Sequence, residues 1–250
     1  MKKLIGLMAV ALMLGACGAK KTETAADTVA VAPPVMAANA LTEEQAAEGW
    51  KLLFDGQTMN GWRTFKNKEQ NTWEVTDGTL HCKSPEDSTA DKRADLMTND
   101  QYENFELAFD WKIAPTHNSG VMFHVTEEYD VPYGSGPEYQ LIDEKGYPGE
   151  LKPTQLAGAN YDMQVAENKT LHPAGEWNST KIVVNGAHVE HWLNGGKVLE
   201  YELWSDAWKK QVAGSKWKEF PGYGLAKKGH IDFQDHGGEV WFRNVMIKPL

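Results

Sequence analysis

The stretch Trp73-Glu74-Val75-Thr76-Asp77-Gly78-Thr79-Leu80-His81-Cys82 sets the reading of the whole chain. Two alternating runs flank Asp77-Gly78, a pair that tolerates positive φ at both centres of a type I′ turn. It reads as a β-hairpin, and the same grammar continues on both sides. Asn194-Gly195-Gly196 separates two more alternating runs in the same way. Short apolar or alternating segments bounded by Gly, Asn, Asp and Pro predict strands near 51–54, 72–76, 79–82, 95–97, 105–113, 119–126, 137–143, 156–160, 177–185, 188–194, 197–203, 229–234 and 239–247. Strands do not alternate with helices, which argues against a parallel α/β sheet. An all-β fold of two antiparallel sheets packed face to face fits best.

One short helix interrupts the series near the C-terminal third. Ser205 caps it, Trp204, Trp208 and Val212 follow at four-residue steps, and Gly214 ends it. Thr42 and Gln45 carry the capping-box spacing for a single helical turn before the first strand.

A chain of 250 residues suits one sandwich domain, here 41–250. Its formal net charge is −10, and loss of Lys2 and Lys3 with residues 1–16 takes it to −12. Such a chain repels phosphate backbones, so nucleic acid is not an expected partner. Ten tryptophans supply either a large-ring core or rings for a ligand surface.

The N-terminus reads as a signal peptide over 1–16: Lys2 and Lys3, an apolar run from Leu4 to Leu14, then small residues. Leu14-Gly15-Ala16-Cys17 is similar to the bacterial lipobox, with cleavage before Cys17 and diacylglycerol on its thiol. The acyl chains would make the membrane a partner. The expected location is the cell envelope, with the anchor in the outer membrane because Gly18 supplies no acidic retention signal. Residues 17–40 lack bulk and periodicity and read as a disordered tether. With Cys17 lipidated, Cys82 is left unpaired, and it lacks the spacing of a zinc site.

Three stretches could carry chemistry. In Gly136-Pro137-Glu138-Tyr139-Gln140-Leu141-Ile142-Asp143, strand alternation puts Tyr139 and Leu141 on the core face and Glu138 and Gln140 on the other. Asp143 ends the strand, where a bend could bring it round. In His117-Asn118-Ser119-Gly120-Val121-Met122-Phe123-His124, Asn118, Gly120, Met122 and His124 share a face. Gly120 marks either a close approach to the backbone or a β-bulge. In Gly229 to Gly238, Gln234, Asp235 and His236 fall at a strand end before a glycine turn. Arg243, inside the apolar run Val240–Val245, needs an acidic partner or anionic ligand, with Glu138 or Asp143 as candidates. His188 and His191 would face opposite sides of a strand and read as satisfied surface histidines.

The order of these pieces resembles the 3-keto-disaccharide hydrolase family of Bacteroidetes-type lipoproteins. The matching pieces include Gly49 to Gly56, Trp73-Glu74-Val75, Asn104 to Leu107, Asn118-Ser119-Gly120, Gly136 to Gln140, Gly175 to Asn178, His191 to Gly195, Gln234 to Gly237 and Phe242 to Val245. The resemblance implies a concanavalin A-like jelly roll with a sugar-binding face, a carbohydrate substrate, and hydrolysis of glycosides already oxidised at C3. The family has a Leu-Tyr or similar pair where this chain reads Ala157-Gly158-Ala159-Asn160-Tyr161. That departure predicts a displaced Tyr161.

A ketone at C3 acidifies the C2 hydrogen. Its removal gives an enolate that expels the anomeric oxygen, and water then adds at C1. The expected base is Glu138 or His236, with Arg243 and Asn118 or Gln140 as polar stabilisers and Asp143 as partner or acid. Asn118, Gln140, Gln234 and Tyr161 are the expected substrate-binding residues. A divalent cation at the carboxylates is a further possibility. A non-catalytic lectin-like binding module, a two-carboxylate glycosidase using Glu138 and Asp143, and a structural surface protein stay open as alternatives.

Overall fold

The computed structural model describes residues 38–250. The signal peptide, Cys17 and nearly all of the tether lie outside the described residues. After a five-residue helix α1 (Glu43–Ala47) come β1 (Lys51–Leu52), β2 (Trp62–Thr64), β3 (Trp73–Thr76), β4 (Thr79–Cys82), β5 (Leu96–Thr98), β6 (Phe105–Ile113) and β7 (Asn118–Val125). Then follow β8 (Glu138–Ile142), β9 (Asn178–Asn185), β10 (His188–Leu193), β11 (Gly196–Glu202), helix α2 (Asp206–Gly214), β12 (His230–Phe233) and β13 (Val240–Pro249). The large sheet runs β11-β10-β9-β6-β13-β4-β3, with β1 also on β13; the small sheet runs β2-β5-β12-β7-β8. Every pairing is antiparallel. The architecture is a jelly-roll sandwich, all-β but for its short helices.

The local chemistry explains the elements. Asp77 and Gly78 take φ of 48° and 71°, and Asn194 and Gly195 take 47° and 82°, the double positive φ of the I′ turn. Thr42 and Gln45 exchange both capping-box hydrogen bonds, and the Ser205 side chain accepts from the Trp208 N–H. On β6, Phe105, Leu107, Phe109, Trp111 and Ile113 alternate inward and are buried. Each contributes about 1.5–3 kcal/mol by leaving water. Phe109 meets Phe233 of the small sheet at 5.8 Å between ring centroids, so the two sheets share one core.

The small sheet differs from the large one in a way that matters for function. β8 and β12 are buried at every position, and β7 at all but Asn118. Their inner face packs in the sandwich, while the outer face carries a second, smaller apolar cluster of Phe65, Met97, Met122 and Val125. The turn around Tyr133 and the segment after α2 cover that outer face.

Several expectations change. Residues 156–160 form no strand; the segment makes isolated bridges through Asn160 to Tyr139 and Gln164. Trp62–Thr64, absent from the expected strands, forms β2 at the edge of the small sheet. Asn39, assigned to the tether, donates its N–H to Asn244 Oδ1 at 2.7 Å and its side-chain amide to the Gly78 carbonyl at 2.8 Å. His191 is buried rather than superficial, and its Nδ1 lies 2.8 Å from the Gly158 carbonyl. Burial pushes its pKa down to about 4.

Candidate active site on the outer face of the small sheet

A chamber of about 320 Å³ opens on the outer face of the small sheet. Its floor comes from three strands: Asn118 on β7, Glu138 and Gln140 on β8, and Gln234 just past β12. Cross-strand register brings them together, because Gly120 lies opposite Gln140 and Met122 opposite Glu138. The Gln234 N–H donates to the Gly120 carbonyl at 2.9 Å, and Ser119 Oγ donates to the Gln234 carbonyl at 2.8 Å. His236 stands at the rim, and Tyr161 forms part of the wall. The departure from the family pattern at Ala157-Gly158-Ala159-Asn160-Tyr161 therefore does not remove Tyr161 from the chamber. Tyr161 is fixed by its backbone: its N–H donates to the Glu138 carbonyl at 3.0 Å.

Gly120 is a notch rather than a bulge. A Cβ built there would stand 2.1 Å from Glu138 Oε1 and 2.7 Å from its carboxyl carbon. The Glu138 side chain thus lies across β7 toward β12, and only glycine leaves the space. The bulge in β7 falls further along, where its pairing shifts between His230 and Asp232.

The wall opposite is the segment Lys216–Glu219 and Phe220, which lies beyond the predicted end of the helix at Gly214 and carried no assigned role. Trp217 donates its indole N–H to the Tyr161 carbonyl at 3.1 Å. Its ring stacks on Tyr223 at 4.2 Å, Tyr223 on Trp208 at 5.7 Å, and Trp208 on Tyr201 at 5.6 Å. This column of rings ties the wall to β11 and α2. Phe220 and Tyr133 meet edge to face at 5.5 Å and complete the enclosure. Lys216 holds Asp162 at 2.9 Å and lies 4.2 Å above the Tyr161 ring. The lost signal was Ser215-Lys216-Trp217-Lys218-Glu219-Phe220, a capped turn dense in aromatics just after Gly214.

Electrostatics single out the carboxyls. Burial pushes Glu138 up to about 8, opposed by Lys216 and reinforced by Asp95 and Asp162. Beneath it, Asp232 lies in register between Met97 and Met122. Neither of its oxygens has a hydrogen-bond partner among the described residues, and burial raises its pKa far above the usual carboxylate range. Desolvation lowers the pKa of His236, leaving its imidazole neutral. Oxygens of Glu138, Asp232, Gln140 and Gln234 share this face, and both glutamine Oε1 atoms are buried without a partner among the described residues. Hard oxygen donors of this type are the ones that would suit a divalent cation.

Two of the expected catalytic residues stand elsewhere. Arg243 is on the outer face of the large sheet, where it pairs with Asp110 at 3.4 Å and stacks over Trp177 at 4.0 Å. Its partner is neither Glu138 nor Asp143, because alternation along β13 turns it away from the core. Asp143 caps a loop instead, with Oδ2 accepting from the Thr116 N–H at 2.9 Å and Oδ1 from the Lys145 N–H at 3.2 Å. A carboxylate pair of Glu138 and Asp143 is therefore not formed. On the β10–β11 surface His188, Glu190 and Glu200 lie close enough to suggest a metal cluster, but Lys197 already bonds both carboxylates, at 3.2 and 2.5 Å.

Comparison with known proteins agrees with this fold. Residues 49–248 match the family model of the 3-keto-alpha-glucoside-1,2-lyase-like domain. A protein from Bacteroides thetaiotaomicron named 3-keto-disaccharide hydrolase is 34% identical over 233 residues, covering 82% of this chain and 79% of the relative. A solved structure from Parabacteroides distasonis, provisionally designated a glycosyl hydrolase, is 42% identical with a TM-score of 0.79, covering 86% of this chain and all of that one. A second from the same organism, with the same provisional designation, is 31% identical with a TM-score of 0.57, covering 76% of this chain and all of that one. By the extent of the family match and the identity to its relative, the chain belongs to the 3-keto-alpha-glucoside-1,2-lyase-like, or 3-keto-disaccharide hydrolase, family.

Proposed function

We infer that this protein is a hydrolase of glycosidic bonds in 3-keto-sugars, working by elimination and then hydration, in carbohydrate breakdown. The observation that carries the mechanism is the Glu138 carboxyl, laid across the Gly120 notch in an enclosed, ring-walled chamber with three side-chain amides around it. The keto ring sits on this floor against Trp217 and Phe220. Its apolar C–H face meets the rings, and its hydroxyls meet Asn118, Gln140 and Gln234.

Glu138, when ionised, takes the C2 proton. Its raised pKa makes it a stronger base than an exposed glutamate, and the acidifying ketone brings the C2 hydrogen within its range. The electron pair flows to the C3 oxygen, where an amide N–H and the Lys216 charge stabilise the enolate. In this role Lys216 replaces Arg243. The C1–O bond breaks, water adds at C1, and Glu138 returns the proton to C2. The test is to give the purified protein a 3-keto-glucoside and the unoxidised glucoside. Cleavage of the keto-sugar alone supports the reading. Equal cleavage of both points to ordinary glycosidase chemistry, and cleavage of neither contradicts enzymatic function.

We also propose that Cys17 is lipidated and holds the domain at the outer membrane of the cell envelope. The support is the lipobox-like Leu14-Gly15-Ala16-Cys17 after a short apolar run. Incorporation of labelled palmitate into the wild type but not into Cys17→Ala is the expected result; equal labelling of both contradicts it.

A further inference from the structure

A second chamber, about 470 Å³, adjoins the first and shares Tyr133, Gln234 and His236 with it. Volumes of this order are those of small-molecule sites, about 300–1,000 Å³. Its lining combines apolar Phe65 and Pro132 with the charged Lys68, Arg93 and Asp95. That mixed lining suits a pyranose, which has both a C–H face and hydroxyl groups. Nothing in the chemistry assigned above uses this space.

Asp95 is the carboxyl of the second chamber. It stands just before β5, where its carbonyl accepts from the Phe65 N–H at 3.0 Å. Its Oδ1 accepts from the Asp235 N–H at 2.8 Å. Its Oδ2 has no hydrogen-bond partner among the described residues. Asp235, the next carboxylate, is already engaged by Arg93 at 2.6 Å. Lys68 is exposed at the rim and forms no ion pair among the described residues. Burial pushes the Asp95 carboxyl up to about 7, with the charge of Asp235 reinforcing it against the Asp235 N–H and Lys68. His236 shares the chamber, and Asp232 lies on the neighbouring strand β12.

We propose that the second chamber receives the leaving-group half of the substrate, a second sugar ring, and that Asp95 protonates the departing oxygen. The proposal rests on the keto-sugar hydrolase reading and extends it to the other half of the molecule. The glycosidic oxygen then lies where the two chambers join, at Gln234 and His236. As Glu138 takes the C2 proton and the C1–O bond breaks, the departing oxygen keeps the bonding pair and receives the Asp95 proton. In the second half, Asp95 as carboxylate takes a proton from water while the hydroxyl adds to C1, and Glu138 returns its proton to C2. Both carboxyls end as they began, and the sum is substrate plus water giving a 3-keto-sugar and an alcohol.

A sugar is a poor leaving group that needs the proton; nitrophenol leaves well without it. The test compares wild type and Asp95→Asn on a 3-keto-disaccharide and on a nitrophenyl 3-keto-glucoside. Asn keeps an oxygen for the Asp235 N–H. In single turnover, the variant is expected to lose about 10²–10⁴-fold in cleavage rate on the disaccharide and to release nitrophenol at nearly the wild-type rate, because that release precedes the water addition that Asp95 also assists. The wild-type disaccharide profile is expected to be a bell that peaks between about pH 7 and about 8, and its alkaline fall should vanish in Asp95→Asn. Equal loss on both substrates, or no loss on either, overturns the assignment. Lys68→Gln gives an independent reading, because it should raise KM for the disaccharide and leave KM for methyl 3-keto-glucoside unchanged. Equal effects on both would place the leaving group elsewhere. A wild type inactive on every keto-substrate overturns the parent reading, and this one with it; an active wild type with an indifferent Asp95 overturns this one alone.

Discussion

Glu138 lies over Gly120, with Oε1 only 2.1 Å from where a Cβ at that position would be. The backbone of Gly120 is ordinary strand, paired in register with Gln140, so conformational freedom is not the reason for the glycine. The reason is space for a carboxyl. Gly120→Ala should leave the fold intact, because the clash is with the end of a flexible side chain. It should push the carboxyl off its position and cut kcat by about 10²-fold, the scale set by displacements near 1 Å. Kinetics alongside a melting curve check this; full activity in the alanine variant would mean that the notch does not position the base.

Glu138→Gln removes the base while keeping shape and volume. Activity on the 3-keto-glucoside should fall by about 10²–10⁴-fold. In the wild type, the acidic limb of the profile should climb as pH rises toward about 8, where Glu138 ionises. The glutamine variant should show residual activity without that limb.

Asp232 gives a stability prediction with a definite sign. Its folded pKa is raised, so the unfolded chain releases this proton from about pH 4 upward while the folded chain retains it. The stability associated with the protonated form is full below the unfolded pKa and is lost as pH climbs through the folded one. Asp232→Asn cannot ionise. Its melting temperature should gain on the wild type between pH 5 and pH 9, and a gap that stays flat over that range would contradict the assignment. His191 acts in the opposite direction, since its pKa is depressed to about 4 and stability is lost as pH falls below the ordinary imidazole value.

Arg243 and Asp143 should behave as structural residues. Arg243→Ala removes a half-exposed ion pair and a ring contact on the far face of the large sheet, at a cost of about 1 kcal/mol or less, and should not change kcat. Asp143→Ala leaves two loop N–H groups without their acceptor and should destabilise by about 1–2 kcal/mol. A selective loss of kcat in either variant, with stability unchanged, would return that residue to the chemistry.

Local rules made much of this molecule legible. Asp77-Gly78, Asn194-Gly195, Thr42 with Gln45, and Ser205 all announce their geometry, because turns and caps are settled within a few residues. Alternation put Glu138 with Gln140 on one strand face and Asn118 with Gly120 on another, and strand-end reasoning put Gln234 and His236 on a rim; the pairing of β7 with β8 and β12 is what joins them. Alternation failed where it says only "outward". Glu138 and Arg243 look alike in that respect, yet one outward face is buried under Trp217 and Phe220 and the other is the far side of a different sheet. Which sheet a strand joins is a long-range property, and so is the cover supplied by Lys216–Phe220. Asp95 escaped notice for the same reason, since its partner Asp235 is 140 residues away.

The central claim is that Glu138 breaks the C2–H bond of a 3-keto-sugar held in this chamber. The most direct measurement is the single-turnover rate of the wild-type protein on a 3-keto-glucoside carrying deuterium at C2, set against the unlabelled compound. The expected result is a severalfold slowing by deuterium, with Glu138→Gln nearly inactive on both. Identical rates for the two isotopologues, or an undiminished rate in Glu138→Gln, would contradict it.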